Sequence, residues 1–167
     1  SSSGRADEPI SVEAVDESAA RLAAEEGIPA RSAEVAALAR HALASPLVDR
    51  ALNSARRWTE LYVAAPVAPD AFDPGDGIIL GPANAITMVE GYADLVFLTP
   101  ETDGEPGHLV LVDYKTDADL TRAMDHYRAQ LAGYRSLLEQ STGLTVREVW
   151  LLHLTDRGAV EIPLHES

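Results

Sequence analysis

Apolar residues recur every three or four positions in the first third of the chain, the spacing of helices that bury one face. The pattern predicts a helix over 9–26, a second helix with Ser32 as its N-cap, and a third over 46–56. A proline suits the first turn of the third helix. Residues 1–8 contain Ser, Gly and charge without periodicity, so we expect a linker or a disordered segment there.

From residue 57 onward the apolar period changes to two, which indicates β-strands. The strands are predicted over 58–63, 85–98, 108–115, 146–154 and 159–164, with a short strand over 78–80 inside a loop. An amphipathic stretch over 122–142 predicts one long helix after the third of the long strands. A polar turn over 99–107 makes the second and third strands antiparallel. This order predicts an α/β (or α+β) fold with a mixed central sheet flanked by helices.

The apolar run in GHLVLVDYKT ends abruptly in Asp113-Tyr114-Lys115. Alternate residues of a strand share a face, so Asp113 and Lys115 project together and Tyr114 projects to the other side. The preceding strand contributes Asp94. If these strands pair, two carboxylates about 4 Å apart would repel by about 4 kcal/mol at an effective dielectric constant of about 20. Bound Mg²⁺ would remove that repulsion. The alternative is a hairpin with solvated charges at its end and with Lys115 paired to either aspartate.

The amino-acid composition indicates a role for Lys115 and limits the classes of function that the protein can have. Twelve of the 13 basic residues are arginine and Lys115 is the only lysine, which suggests that a compact ammonium is needed beside the aspartate. The net charge of −14 argues against a free-standing nucleic-acid binder. The absence of cysteine excludes disulfides, thiolate zinc sites and iron–sulfur clusters. No apolar run is long enough for a membrane span, and we expect a cytoplasmic, nucleoid-associated location.

Three motifs, in the right order and spacing, resemble the nuclease domain of RecB and AddA within the PD-(D/E)XK superfamily. They are EGYAD over 90–94, DYKTD over 113–117 and YRAQLAGY over 127–134. The resemblance covers about residues 46–164. It implies a restriction-endonuclease-like fold and metal-dependent cleavage of DNA phosphodiesters, usually as the C-terminal domain of a helicase–nuclease in recombination repair.

The resemblance also implies roles for individual residues. Asp94 and Asp113 would be metal ligands, with the backbone carbonyl of Tyr114 as a third ligand, and Lys115 would be catalytic. Gln130 and Tyr134 would contact substrate or support the site.

The resemblance also bears on two further residues. Glu60 matches a glutamate of the family's first strand and is either a supporting residue or an edge-strand charge. His41 lacks the glycine that precedes the family's metal-binding histidine, so we interpret it as a surface or core residue rather than a ligand.

These observations predict one domain, with an N-terminal helical segment over 9–56 and a nuclease core over 57–167. The expected cofactor is Mg²⁺ or Mn²⁺. The expected partners are DNA and either helicase domains of the same chain or a helicase–nuclease partner subunit, with no membrane. Two alternatives stay open. One is a non-catalytic nuclease fold that binds DNA or assembles a subunit, and the other is an unrelated α/β binding module with solvated charges.

Overall fold

The computed structural model describes residues 11–67, 87–102, 104 and 106–164. The helices are α1 (Val12–Glu25), α2 (Ser32–Leu43), α3 (Pro46–Leu52) and α4 (Leu120–Thr142), with a short 3₁₀ turn at Pro29–Arg31. The strands are β1 (Arg57–Val67), β2 (Thr87–Leu98), β3 (Leu109–Lys115), β4 (Val146–Thr155) and β5 (Gly158–Pro163). The predicted linker over 1–8 and the predicted strand over 78–80 lie outside the described residues.

The five strands form one mixed sheet in the order β1-β2-β3-β4-β5. The β3–β4 pair is parallel and the other pairs are antiparallel, which confirms the arrangement of β2 and β3 that the polar turn predicts. A parallel pair needs a crossover connection, and α4 supplies it. One apolar core lies between the sheet and α4, and a second lies between the sheet and the α2–α3 pair. No helix among the described residues is long and apolar enough to cross a membrane.

The helix ends follow local hydrogen-bonding signals. The Asp119 side chain accepts a hydrogen bond from the Thr121 backbone N–H, so α4 begins at Leu120, two residues before the predicted start. Gly143 ends α4 in the left-handed conformation at φ 69°. Helix α3 ends four residues before the predicted boundary, because Ser54 bonds to the carbonyls of Arg56 and Leu98 and turns the chain into β1.

The alternation predicted along β1 fails at Glu60. Trp58 packs on the α4 side of the sheet together with Leu61 and Val63, although a regular strand would place Trp58 on the opposite face from Leu61. Glu60 adopts a left-handed backbone conformation with φ 51°, which is uncommon for a residue other than glycine. This one residue therefore reverses which side chains face the core.

The same reversal occurs on β2, directly across from Glu60. Ala93 and Val96 both pack on the α4 side, although three positions separate them. The register pairs Thr59 with Leu95 and Leu61 with Ala93, so Glu60 and Asp94 occupy opposing positions between those pairs. Both strands thus change face at the position that carries Asp94.

Glu148 on β4 ties together three elements at the end of the sheet where β3 begins. Its carboxylate accepts two hydrogen bonds from Arg50 of α3, at 2.8 and 3.0 Å, and one from the Trp150 indole at 2.9 Å. His108, just before β3, lies 3.1 Å away through Nε2. The hydrogen bonds, that from Arg50 above all, lower the pKa of Glu148 to about 2 against the opposing effect of burial.

We expect Glu148 to make the protein sensitive to acid. Its pKa is lower in the folded state, so its stabilisation is present above pH 4.5, the carboxyl's ordinary pKa, and is lost as the pH falls toward about 2. The loss should be on the order of 1–2 kcal/mol, since solvent contact screens the pairs. Between those pH values, the free energy of unfolding measured in urea should change less with pH in Glu148→Gln than in wild type. The exposed control Glu17→Gln should keep the steep pH dependence of wild type. If Glu148→Gln kept it as well, Glu148 would not be the source of the acid sensitivity.

Candidate active site

Asp94 and Asp113 meet where β2 and β3 separate. The strands pair through Leu95 and Val112, so the two aspartates are the next opposing positions in the same register. Asp94 Oδ2 accepts a hydrogen bond of 2.9 Å from the Tyr114 backbone N–H, which anchors its carboxylate to the end of β3. The pairing predicted from the sequence therefore brings the two carboxylates to one place.

Asp113 is a buried charge with an incomplete set of partners. It is 4% exposed, and its Oδ2 lies 2.7 Å from Lys115 Nζ. That oxygen accepts no hydrogen bond of good geometry within the described part of the chain. Burial raises the pKa of Asp113, the Lys115 ammonium opposes this, and the Asp94 charge adds to the increase. The ion pair with Lys115 is therefore what offsets the cost of burying this oxygen.

Lys115 is held between the Asp113 carboxylate and an aromatic ring of α4. Its Nζ lies 4.8 Å from the centroid of Tyr127, within the range of a cation–π contact. The Tyr127 hydroxyl donates a 2.7 Å hydrogen bond to Asp117 Oδ2, and this bond raises the pKa of Tyr127 to about 12. His153 Nε2 contacts the Asp117 carbonyl at 2.8 Å. The lysine consequently has a fixed position instead of a mobile surface one.

Sequence reasoning missed the part that Tyr127 and Asp117 play. The helical spacing predicts Tyr127 only as one of the apolar residues of the α4 face, yet its ring packs on the chain's only lysine. The sequence does contain a signal for this role of Tyr127. Tyr127 and Tyr134 are seven residues apart, so they share one face of the helix.

The donor set at this position suits a hard divalent cation. Two carboxylates and a strand-end carbonyl are oxygen ligands, and Mg²⁺ is commonly bound through one or two carboxylates while water and substrate phosphate complete its shell. Among the described residues, the buried Asp113 Oδ2 is paired with Lys115 Nζ alone, at 2.7 Å. Within the described ranges, no group of three or more His, Asp or Glu side chains is placed to hold a metal. Neither Glu60 nor His41 therefore completes the aspartate pair in this structure.

Glu60 and His41 have other surroundings. Glu60 is exposed at the face reversal opposite Asp94. His41 lies on α2, whose apolar residues pack on the sheet face opposite α4, and its Nδ1 contacts the Thr155 carbonyl at 2.8 Å.

Gln130 and Tyr134 lie on the same α4 surface, and Tyr134 packs directly over Gly91. A Cβ atom at position 91 would lie 2.5 Å from Tyr134 Cε1 and 2.8 Å from its hydroxyl oxygen. The glycine three residues before Asp94 therefore allows the ring of Tyr134 to lie against β2. Gln130 is half-buried one helical turn earlier.

Gly91→Ala should destabilise the protein by about 1–3 kcal/mol, because the new methyl group displaces the Tyr134 ring. Denaturant unfolding measures the change. The double variant Gly91→Ala/Tyr134→Ala should lose less than the sum of the two single losses, since removal of the ring makes room for the methyl group. Additive losses would mean that the two residues are not in contact.

Comparison with known proteins adds a family assignment. The crystal structure of SSO0001 is similar to this chain with a TM-score of 0.46 and 15% sequence identity, over 93% of this chain and 66% of that one. No curated protein sequence matches the chain significantly. A family model matches residues 2–162, and the mixed five-stranded sheet with four helices confirms the predicted restriction-endonuclease-like fold class. The chain belongs to the PD-(D/E)XK nuclease superfamily.

Proposed function

We propose that this protein is a metal-dependent deoxyribonuclease that hydrolyses DNA phosphodiester bonds at the Asp94–Asp113–Lys115 site. The observation that carries the proposal is the buried Asp113 carboxylate, which faces Asp94 and has the chain's only lysine 2.7 Å from its Oδ2. A solvated hairpin end would not keep a carboxylate only 4% exposed.

In this proposal Asp94, Asp113 and the Tyr114 carbonyl hold Mg²⁺ or Mn²⁺. When bound, the ion supplies positive charge to the attacking water and to the scissile phosphate. Lys115 donates hydrogen bonds to a phosphate oxygen or to the water, where it stabilises developing negative charge. Tyr127 keeps the ammonium aimed at this position, and its hydroxyl is in turn fixed by Asp117. Gln130 and Tyr134 contact the substrate or support β2.

We further propose that the protein is an exonuclease of the RecB/AddA type, which works in DNA repair or recombination as part of a larger helicase–nuclease. The three sequence motifs and their spacing support it. The net charge of −14 also fits an arrangement in which helicase domains, in the same chain or a partner subunit, deliver the DNA strand. A cytoplasmic, nucleoid-associated location goes with this role.

The test is cleavage of linear and circular DNA, in single-stranded and duplex forms, in Mn²⁺ and in EDTA. We expect metal-dependent loss of linear DNA while circles persist, and loss of activity in Asp94→Asn. The exposed α4 variant Asp125→Asn is the matched control and should cleave like wild type. Cleavage of circles would replace the exonuclease assignment with an endonuclease one, and cleavage that survives Asp94→Asn or EDTA would contradict the proposed mechanism.

A second candidate is a non-catalytic domain that keeps the fold to bind DNA or assemble a subunit. It is favoured by one observation, namely that the described residues provide no third acidic or histidine ligand beside the aspartates. DNA binding without cleavage in either Mg²⁺ or Mn²⁺, by a chain that also contains its natural neighbouring domains, would support this candidate.

A further inference from the structure

The turn between β3 and α4 supports the candidate active site from an exposed position. Residues 116–119 are exposed, yet the Asp117 side chain accepts a hydrogen bond of 2.7 Å from the Tyr127 hydroxyl. The Tyr127 ring in turn lies against Lys115. An exposed turn makes few packing contacts of its own, so its backbone needs to be held if its side chains are to keep their partners. The position of the lysine therefore depends on what fixes this turn.

Hydrogen bonds hold the turn from two sides. The Asp119 side chain accepts a hydrogen bond of 3.1 Å from the Thr121 backbone N–H, which holds the end of the turn that enters α4. His153 Nε2 lies 2.8 Å from the Asp117 carbonyl oxygen. A carbonyl oxygen only accepts, so Nε2 carries the proton and donates it. His153 thus holds the residue whose side chain bonds to Tyr127.

The sheet places His153 directly beside Lys115. The two residues are paired between the parallel strands β3 and β4. Both lie on the α4 side of the sheet, since Leu151, two positions before His153, packs with Tyr127. His153 is half-buried there. The histidine therefore reaches the turn from the strand next to the lysine.

We propose that His153 is a positioning residue for Lys115, which acts through Asp117 and Tyr127. The proposal rests on the proposed nuclease function and deepens it, because it gives β4 a part in placing the catalytic ammonium. Loss of the His153 donor frees the Asp117 backbone, weakens the hydrogen bond to Tyr127, and lets the ring and the ammonium move apart. The two aspartates are placed by β2 and β3, so metal binding should not change.

The first measurement observes Lys115 directly, because it is the chain's only lysine. In protein made with isotopically labelled lysine, its ε-methylene protons should resonate upfield of their position in an unfolded chain, because the neighbouring ammonium lies over the Tyr127 ring. His153→Leu keeps an apolar group of similar size but no donor, and should move the signal downfield. Asp117→Ala breaks the next hydrogen bond and should do the same. His153→Gln should keep the upfield signal, since its side-chain amide still donates.

The second measurement is single-turnover cleavage at saturating DNA in Mn²⁺. The rate should fall about tenfold in His153→Leu, the low end of the loss usual for a supporting residue. The Kd for DNA, measured in Ca²⁺, and the metal-dependent shift in Tm should stay as in wild type. His153→Gln should recover most of the rate.

The matched control is His108→Leu, which also removes a histidine hydrogen bond. His108 Nε2 lies 3.1 Å from Glu148, at the end of the sheet where β3 begins. This variant should lose stability but keep both the lysine signal and the cleavage rate of wild type. An equal change in His108→Leu would reduce the effect of His153→Leu to a general loss of structure and would overturn the proposal.

A lysine signal that stays in place in His153→Leu or in Asp117→Ala would also overturn the positioning role. Full cleavage by His153→Leu with a displaced lysine signal would overturn it as well, because the position would then have no effect on the rate. A lysine signal that depends on His153, in a wild-type protein that does not cleave DNA, contradicts only the nuclease.

Discussion

Lys115→Ala is expected to reduce the rate of DNA cleavage by about 10²–10³-fold, the usual cost of removing one preorganised donor to a developing charge. The structure gives a specific reason, because Lys115 Nζ is fixed between Asp113 and the Tyr127 ring and no other lysine exists in the chain. The measurement is single-turnover cleavage of linear DNA in Mn²⁺. Folding of the variant is verified independently by circular dichroism.

Two further variants test whether cleavage needs the compact ammonium of Lys115 or only a positive charge. Lys115→Arg keeps the charge but places a broad planar group where a compact ammonium lies, so it should recover little activity. Arg122→Ala removes a cation from the exposed surface of α4, where its side chain is 91% exposed, and should cleave like wild type. Full cleavage by Lys115→Ala would mean that the lysine has no part in the chemistry.

Asp113→Asn is expected to remove most of the stabilisation that a divalent ion gives the folded protein. Metal at about 100 times its Kd should stabilise wild type by about 2.7 kcal/mol, because only the folded state brings Asp94 and Asp113 together. For a chain of this size that corresponds to roughly 5–10 °C in Tm. Thermal unfolding with and without Mg²⁺ or Mn²⁺ measures the difference. The asparagine keeps the size of the side chain but gives up the charge that attracts the cation.

Asp125→Asn is the matched control, because it changes an exposed aspartate of α4. It should keep the full metal-dependent shift in Tm. If Asp113→Asn kept the same shift, the metal would bind elsewhere and the role of Asp113 as a ligand would be wrong. A shift absent from wild type as well would favour the non-catalytic candidate.

Local features of the fold are predictable from the sequence wherever a single element decides them. The face shared by Asp113 and Lys115 follows from the two-residue period of β3, and the end of α4 follows from its apolar stripe and Gly143. The antiparallel pairing of β2 and β3 follows from the polar turn between them. The fold class then follows from the order of elements.

Features that depend on a contact between distant residues escape the local pattern. The period of β1 predicts regular alternation, but the left-handed backbone at Glu60 reverses its faces, and the reversal is shared with β2 across the sheet. The apolar pattern extends α3 too far, because Ser54 bonds to Leu98, which is 44 positions away. Neither feature changes the spacing of apolar residues in the sequence.

Residue type and strand period are sufficient to specify the candidate chemistry: two aspartates, a lysine, and the faces on which Asp113 and Lys115 lie. The way that chemistry is held emerges only in the folded chain, in the burial of Asp113 and in the Tyr127 ring on Lys115. This division arises because periodicity records which side of an element is buried. The desolvation, charge pairing and ring contacts at a site depend on which elements meet, and packing of the whole chain decides that.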